Sequence, residues 1–349
     1  MDCMDTNENS QLLARAVPPL LEWYRVCKRD LPWRRMRNPY TALVAELMLQ
    51  QTRVEAVKER YVQFLEAFPT PEALAAASEE EVLKLWEGLG YYSRARNLHR
   101  AAKKIAEEGF PHTFEGVRAL PGVGDYTAGA VCSIALGLPV PAVDGNVLRI
   151  LSRLCADSSN IDDAATRGRY ARLLKEVYPP ETADFCEALM ELGAIVCVPN
   201  GAPLCGQCPW QTLCRAHLAG REENFPVRAE KKARRIVEAT VCVLRCGEKY
   251  ALEKRPAKGL LAGLWQFPFF EGAAPDFGPP VAEKRAKHIF SHVEWHMTGK
   301  RIDVYEEIAP YTWVTAQELR EKYAIPSAFK AFLPLSLIHI SEPTRLQLI

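Results

Sequence analysis

The chain has 349 residues, 48% of them hydrophobic and 25% charged, with a formal net charge of +1. That length allows two domains, each able to bury a real core, in a composition ordinary for a globular protein. The charge balance excludes a global basic field, so nucleic-acid binding would need a localised face, and no stretch approaches the ~20 apolar residues of a membrane span.

The first residues, MDCMDTNENS, are polar and acidic, the wrong character for a secretory signal. With no signal, the odd count of 11 cysteines argues against a disulfide framework and for a reducing, cytosolic location. From about Gln11 to Leu218 the pattern is almost entirely helical, with runs such as Ala42–Phe68 and Glu79–Trp86 separated by Pro and Gly. Pro69-Thr70-Pro71 ends one helix and starts the next, and Ser78 with Glu81 has the spacing of a capping box.

Glu46 lies inside Leu43-Val44-Ala45-Glu46-Leu47-Met48-Leu49, so on a helix it has apolar neighbours on every side. Burial raises a carboxyl pKa and keeps a proton available near neutral pH, as a general acid requires. Further along, Leu120-Pro121-Gly122-Val123-Gly124 forms a tight turn, with both glycines free to take positive φ, before the apolar run Ala128–Leu136. The unpaired N–H groups of the following helix make that turn an anion site suited to a DNA phosphate. A Gly/Pro-rich loop, Gly137 to Pro141, then delivers Asp144 beside Gly145 and Asn146. Asp144 reads either as a helix N-cap or as an ionised partner to the acid-like Glu46, the carboxylate pair that glycosidic cleavage uses.

Cys197, Cys205, Cys208 and Cys214 are spaced C-x7-C-x2-C-x5-C, with Pro and Gly bending the chain between them. Four thiolates so close fit one metal centre, and the spacing alone leaves zinc and an iron–sulfur cluster both open. After Phe225-Pro226 the character changes. The basic stretch Arg228 to Arg235 reads as an exposed linker, and Val237, Ala239, Val241 and Val243 then alternate with Glu238, Thr240 and Cys242 as in a strand. Arg301–Glu306 is a second extended run. The tail from Leu335, LSLIHISEPTRLQLI, follows a domain end near Phe332 without periodicity and reads as a non-native extension.

The turn LPGVG, the Gly/Pro loop, Asp144 and the four-cysteine loop together resemble the endonuclease III superfamily of DNA glycosylases, and within it the MutY adenine DNA glycosylases. Arg29-Asp30-Leu31-Pro32-Trp33-Arg34, Glu46 to Thr52, Gly88 to Asn97 and Phe290-Ser291-His292 extend the resemblance from about Val17 to Phe332. It implies a multidomain chain: an all-α helix-hairpin-helix glycosylase domain over 1–226, with the hairpin at about 117–135 and an iron–sulfur loop at 197–214. A linker at 227–236 and a smaller α+β Nudix-like domain at 237–334 would follow, then the odd tail at 335–349.

The resemblance further implies a 4Fe-4S cluster on the four cysteines, although seven residues separate Cys197 from Cys205 where six are expected. Zinc stays the alternative. Tyr126 stands where bifunctional relatives place a nucleophilic lysine, so the implied activity is monofunctional hydrolysis of adenine opposite 8-oxoguanine or guanine. By resemblance Glu46 protonates the base, Asp144 stabilises the oxocarbenium ion, and Tyr126 and Asn146 support Asp144 and the water. Arg29, Trp33 and Glu187 would line the adenine pocket, Gln51 and Tyr91 would wedge into the duplex, and Gly122 and Gly124 would hold DNA. Phe290, Ser291 and His292 would read 8-oxoguanine. Gly263 to Pro268 resembles a Nudix signature, but the Glu-rich helix that holds magnesium in a working Nudix hydrolase is missing after it. The expected partner is mismatched double-stranded DNA, bound by a cytoplasmic, bacterial-type monomer without membrane contact, with the linker open to replication or repair proteins. The alternatives are a bifunctional pyrimidine-damage or G:T glycosylase, and a non-enzymatic iron–sulfur DNA sensor.

Overall fold

The computed structural model describes residues 6–230 and 233–337. In chain order the first helices are α1 (Thr6–Cys27), α2 (Pro32–Arg35), α3 (Pro39–Leu49), α4 (Val54–Ala67), α5 (Pro71–Ala76), α6 (Glu79–Leu85) and α7 (Ser93–Glu108). They are followed by α8 (Phe114–Arg118), α9 (Asp125–Ala135), α10 (Gly145–Cys155), α11 (Ala164–Glu176), α12 (Thr182–Ile195) and α13 (Arg215–Leu218). The strands are β1 (Arg235–Cys246), β2 (Lys249–Lys254), β3 (Trp265–Gln266), β4 (Phe269–Glu271), β5 (Ala282–Ile289), β6 (Val293–Asp303) and β7 (Thr312–Thr315). Three short helices close the described chain: α14 (Ala316–Glu321), α15 (Ser327–Lys330) and α16 (Leu333–Leu337).

Local chemistry sets many of these boundaries. Asn38 caps α3 by accepting from Thr41 N, with Pro39 pre-set at the first helical position. Both bonds of the Ser78–Glu81 capping box form at the start of α6. The run Ala42–Phe68, expected as one periodic helix, is two. It breaks between α3 and α4, where Gln51 takes a positive φ of 54°. The extended run expected at Arg301–Glu306 ends at Asp303, as the last residues of the longer β6.

The chain divides into two compact units: one joins the residues up to Ala76 with Asn97–Glu230, the other joins Ala77–Arg96 with Lys231 onward. The helical unit is built on a core where α1, α10 and α12 meet. Leu20, Tyr24, Leu148, Leu151, Phe185, Leu189 and Trp210 pack together there. The α3 helix is buried from Tyr40 to Met48, in keeping with a sequence that is apolar on every face apart from Thr41 and Glu46.

In the second unit β1 is central. It runs parallel to β6 and antiparallel to β2 and β4, while β5 pairs with the other edge of β6 and β7 with β2. Val237, Val241 and Val243 face a core with Phe267, Trp295, Phe329 and Phe332. Ala77–Arg96 belongs to this unit although the sequence placed it in the helical domain. Lys84 Nζ donates to Tyr323 O at 3.0 Å, and Arg96 to Ala262 O at 2.9 Å. Leu335, assigned to the odd tail, is 5% exposed and part of this core, whereas the remainder of that tail beyond 337 lies outside the described residues. Lys231 and Lys232 of the basic stretch also lie outside them, and Arg235 is the first residue of β1. Among the described residues no helix is long and apolar enough to cross a membrane.

Candidate active site

The fold brings Arg29, Trp33, Glu46, Gln51, Tyr126, Asp144, Asn146 and Glu187 onto the walls of one cleft of about 610 Å³. Glu46, supplied by α3, is only 5% exposed, and its Oε2 has no hydrogen-bond partner. Burial pushes its carboxyl up to about 7, with Tyr126 pulling it back and the nearby Asp144 and Glu187 adding to the rise. A buried carboxyl that holds its proton near neutral pH and has an unpaired oxygen is equipped to give that proton away.

Asp144 is the N-cap of α10: its Oδ1 accepts from Val147 N and its Oδ2 from Asn146 Nδ2, each at 2.7 Å. The capping reading and the cleft-lining reading are therefore the same geometry. Burial raises the Asp144 carboxyl also, opposed by the cap bonds and by the charge of Arg149, so its contrast with Glu46 is one of degree. Asn146 is fixed in turn by Arg149, which donates to Asn146 Oδ1 at 2.8 Å, to Gly193 O at 2.7 Å and to Cys197 O at 2.8 Å.

Gly193 sets how closely α12 approaches this cap, because a Cβ there would lie 2.5 Å from Asn146 Cβ. Nothing in the sequence marked it, since a glycine within a helical pattern carries no sign of what lies against it. Gly193→Ala should overpack the contact, cost about 1–3 kcal/mol of stability and displace Asp144. Thermal midpoint and single-turnover rate should fall together, and an unchanged midpoint would refute the contact.

Two further carboxylates organise the cleft wall. Glu191 receives Arg29 through Nε at 2.9 Å and a second nitrogen at 2.8 Å, and Arg34 at 2.8 Å. Burial alone would push Glu191 up, but these hydrogen bonds hold its carboxyl down at about 2. Glu187 Oε2 accepts from Tyr24 and from Arg37, both at 2.6 Å. Sequence reasoning missed Glu191, Arg34, Arg37 and Tyr24. The spacing of Glu187 and Glu191, one turn apart on one helix face, was the available signal. Trp33 is buried edge-on against Tyr61, with ring centroids 5.7 Å apart.

The hairpin joins α8 to α9 through Leu120–Gly124. Only Gly122 takes positive φ (77°), and a Cβ there would also collide with Asn97 at 2.5 Å. Gly124, expected to share that freedom, is extended at φ −99° and caps α9, and the space beside it is open. The N-terminal amides of α9 are thus approachable by an anion. Tyr126 lies in the first turn of α9 and points its hydroxyl towards Met190 Sδ at 3.6 Å, with its own pKa pushed well up by burial and by Glu46 and Asp144.

Cys197, Cys205, Cys208 and Cys214 line a second pocket, with Arg153 and Trp210. Arg153 donates to Cys197 Sγ at 3.2 Å, and Trp210 Nε1 ties the loop to Ala16 O at 2.8 Å. Burial first, and neighbouring charges and thiols second, push Cys205 up to about 11 and Cys208 to about 12. A bound cationic centre would offset that cost. Among the described residues, the one set of at least three His, Cys, Asp or Glu donors within 4.8 Å of one another is Cys205, His217 and Glu222.

In the strand-rich unit, Tyr91 has φ 45° and its hydroxyl lies 2.9 Å from Ser291 Oγ. Arg94 stacks over the Tyr91 ring at 5.5 Å. Phe290 is partly buried, its ring 4.9 Å from Trp295 and 4.5 Å from His288, while Ser291 and His292 are exposed. After Gln266-Phe267-Pro268 the chain enters β4, so no helix follows the Nudix-like signature.

Comparison with known proteins gives this geometry its setting. The HhH-GPD superfamily of base excision DNA repair proteins matches residues 44–180, and the NUDIX domain matches residues 240–335. The adenine DNA glycosylase of Schizosaccharomyces pombe is 34% identical over 333 residues, covering 77% of this chain and 72% of the relative. The chain belongs to the adenine DNA glycosylase family. The family's Arabidopsis thaliana member is 40% identical over 71% of the chain and its human member 39% over 71%, but the chain spans only 46% and 56% of their lengths. Among solved structures, a thermostable thymine-DNA glycosylase matches with a TM-score of 0.53 at 27% identity, covering 61% of this chain and 99% of that one. Endonuclease III trapped in a covalent intermediate with DNA matches at 0.52 and 25%, covering 60% and 98%. The superfamily match contains Glu46, Tyr126, Asp144 and Asn146, and the NUDIX match contains Phe290, Ser291 and His292.

Proposed function

We propose that this chain is a cytoplasmic, monofunctional adenine DNA glycosylase that excises adenine opposite 8-oxoguanine or guanine. The observation that carries the reading is the juxtaposition, in one cleft, of a buried Glu46 with an unpaired oxygen and the capped Asp144. A nucleotide flipped out of the duplex places its base against Arg29, Trp33 and Glu187. Glu46 donates its proton to adenine N7, the C1′–N9 bond breaks with its electrons leaving on the base, and Asp144 stabilises the positive sugar. Water then adds at C1′, its proton passing to a carboxylate. Tyr126 in place of a lysine removes the amine that Schiff-base chemistry needs. The positive φ of Gln51 and Tyr91, worth about 1–3 kcal/mol of strain each, supports their assignment as wedges, since such strain collects at functional sites.

The four cysteines fit a 4Fe-4S cluster better than zinc. A zinc ion held by all four, with bonds of about 2.3 Å, would draw the sulfurs to within about 4 Å of one another, whereas among the described residues the one compact donor set, Cys205, His217 and Glu222, includes a single cysteine of the four. Such a cluster would be structural, fixing the loop that carries Cys197 O against Arg149. Cys208→Ser should lower iron content and the visible absorption of the purified protein together with its thermal midpoint. Retention of all three would remove the assignment.

For the opposite base, Ser291 and His292 offer hydrogen bonds, while Phe290 acts through its packing. Ser291→Ala with His292→Ala should reduce the preference for A:8-oxoguanine over A:G, leaving the A:G rate close to the parent's, as read from single-turnover rates on both duplexes. The test of the whole reading is base release from A:8-oxoguanine, A:G and A:T duplexes with and without alkali. Strand breaks that appear only after alkali support monofunctional excision. Breaks without alkali, or no release from any duplex, reject it.

A further inference from the structure

The cleft lined by Glu46, Asp144, Asp162, Glu187 and Glu191 is acidic, and its inner arginines are committed, since Arg29 and Arg34 both bind Glu191. At the mouth of the same cleft stand two more, Arg167 and Arg228. Arg228 is held from both sides: Val227 O accepts from Ile161 N at 3.0 Å, and Ala229 N donates to Asp162 Oδ2 at 3.2 Å. These bonds pin the chain on the 161–162 turn and aim the Arg228 side chain across it towards α10. One guanidinium nitrogen lies 3.9 Å from where a Gly145 Cβ would be, next to the Asp144 cap, and its positive charge reaches Arg149. Its only ion pair among the described residues, to Asp162, is loose at 3.8 Å, with both side chains half-exposed. The Arg167 guanidinium makes no hydrogen bond or ion pair that the described residues show, and it is exposed.

We infer that Arg228, assisted by Arg167, grips a backbone phosphate of the strand whose nucleotide enters the cleft. This rests on the proposed function and names the contact that lets a polyanion approach a cleft lined by five acidic side chains. The sugar that must reach Asp144 is bonded directly to its two phosphates, so one of them passes the cleft mouth. There it meets a guanidinium suited to bidentate phosphate binding. Asp162 tethers the arginine in the free protein and is the charge that the phosphate displaces.

The test is the salt dependence of binding to a duplex carrying 2′-fluoro-2′-deoxyadenosine, which resists hydrolysis, opposite 8-oxoguanine. In a plot of log Kd against log salt concentration, the double variant Arg228→Ala with Arg167→Ala should make the slope shallower by about 0.9, the change for one lost phosphate contact, and Arg228→Ala alone should account for most of that change. Arg228→Lys, which keeps a point charge and guards against a folding defect, should restore most of the slope. Asp162→Asn should tighten binding at every salt concentration. An unchanged slope in Arg228→Ala overturns the inference, as does a slope that Arg228→Lys fails to restore. The parent's base release is scored separately, so the proposed function can fail while this binding result stands.

Discussion

Glu46→Gln should reduce the single-turnover rate of adenine release by about 10²–10⁴-fold, the range that general acid catalysis supplies, with little change in duplex binding. Glutamine keeps the size and polarity of the side chain and removes only the transferable proton. The parent rate should fall as pH rises through about 7, where Glu46 loses its proton, and the variant's residual rate should lack that limb. The same shift predicts a stability effect whose sign is distinct. The folded-state pKa of Glu46 is raised from 4.5 to about 7, so its favourable contribution is complete below about 4.5 and is lost as pH rises through 7. Ionising the buried group costs on the order of 3 kcal/mol above that range. Glu46→Gln should therefore melt higher than the parent at pH 8 and equal to it near pH 4.5. A variant less stable than the parent at pH 8 would mean that Glu46 is ionised and paired in the folded protein.

Asp144→Asn should be as damaging to the rate, by about 10²–10³-fold, through loss of the charge facing the developing cation. Asparagine is also a good N-cap, so its carbonyl can still accept from Val147 N, and the thermal midpoint should stay within a few degrees of the parent's. Asp144→Ala should lose the rate and also about 1 kcal/mol of stability, because α10 loses its cap. The pair separates the two jobs of one residue. Equal melting of the Asn and Ala variants would show that the cap contributes nothing, and a near-normal rate in Asp144→Asn would remove the electrostatic role.

Much of the site was legible because its signals are local. Burial of Glu46 followed from seven successive residues that leave a helix no polar face. The turn at Gly122 and the cap at Asp144 are written in three or four residues each. The cysteine loop announced itself by spacing, while its tie to Ala16 did not. Where expectation and structure differ, the cause is packing. Periodicity carried one helix through Gln51, but the chain breaks there into a strained turn. Leu335 looked non-native in a patternless tail, yet it fills a core position under β1.

The sequence by itself determined the two-part architecture, the hairpin turn, the four thiols and the two carboxylates, since each depends on residues close together in the chain. Only the tertiary structure decided what those groups experience. Arg29 and Arg34 meet Glu191 from more than 150 positions away in the chain, and Gly193 admits Asn146 from another helix. Segment Ala77–Arg96 leaves its neighbours to join the strand-rich unit, where Tyr91 meets Ser291. A pKa, a close approach or a shared hydrogen bond depends on atoms that the fold alone brings together, and no local pattern encodes their distance.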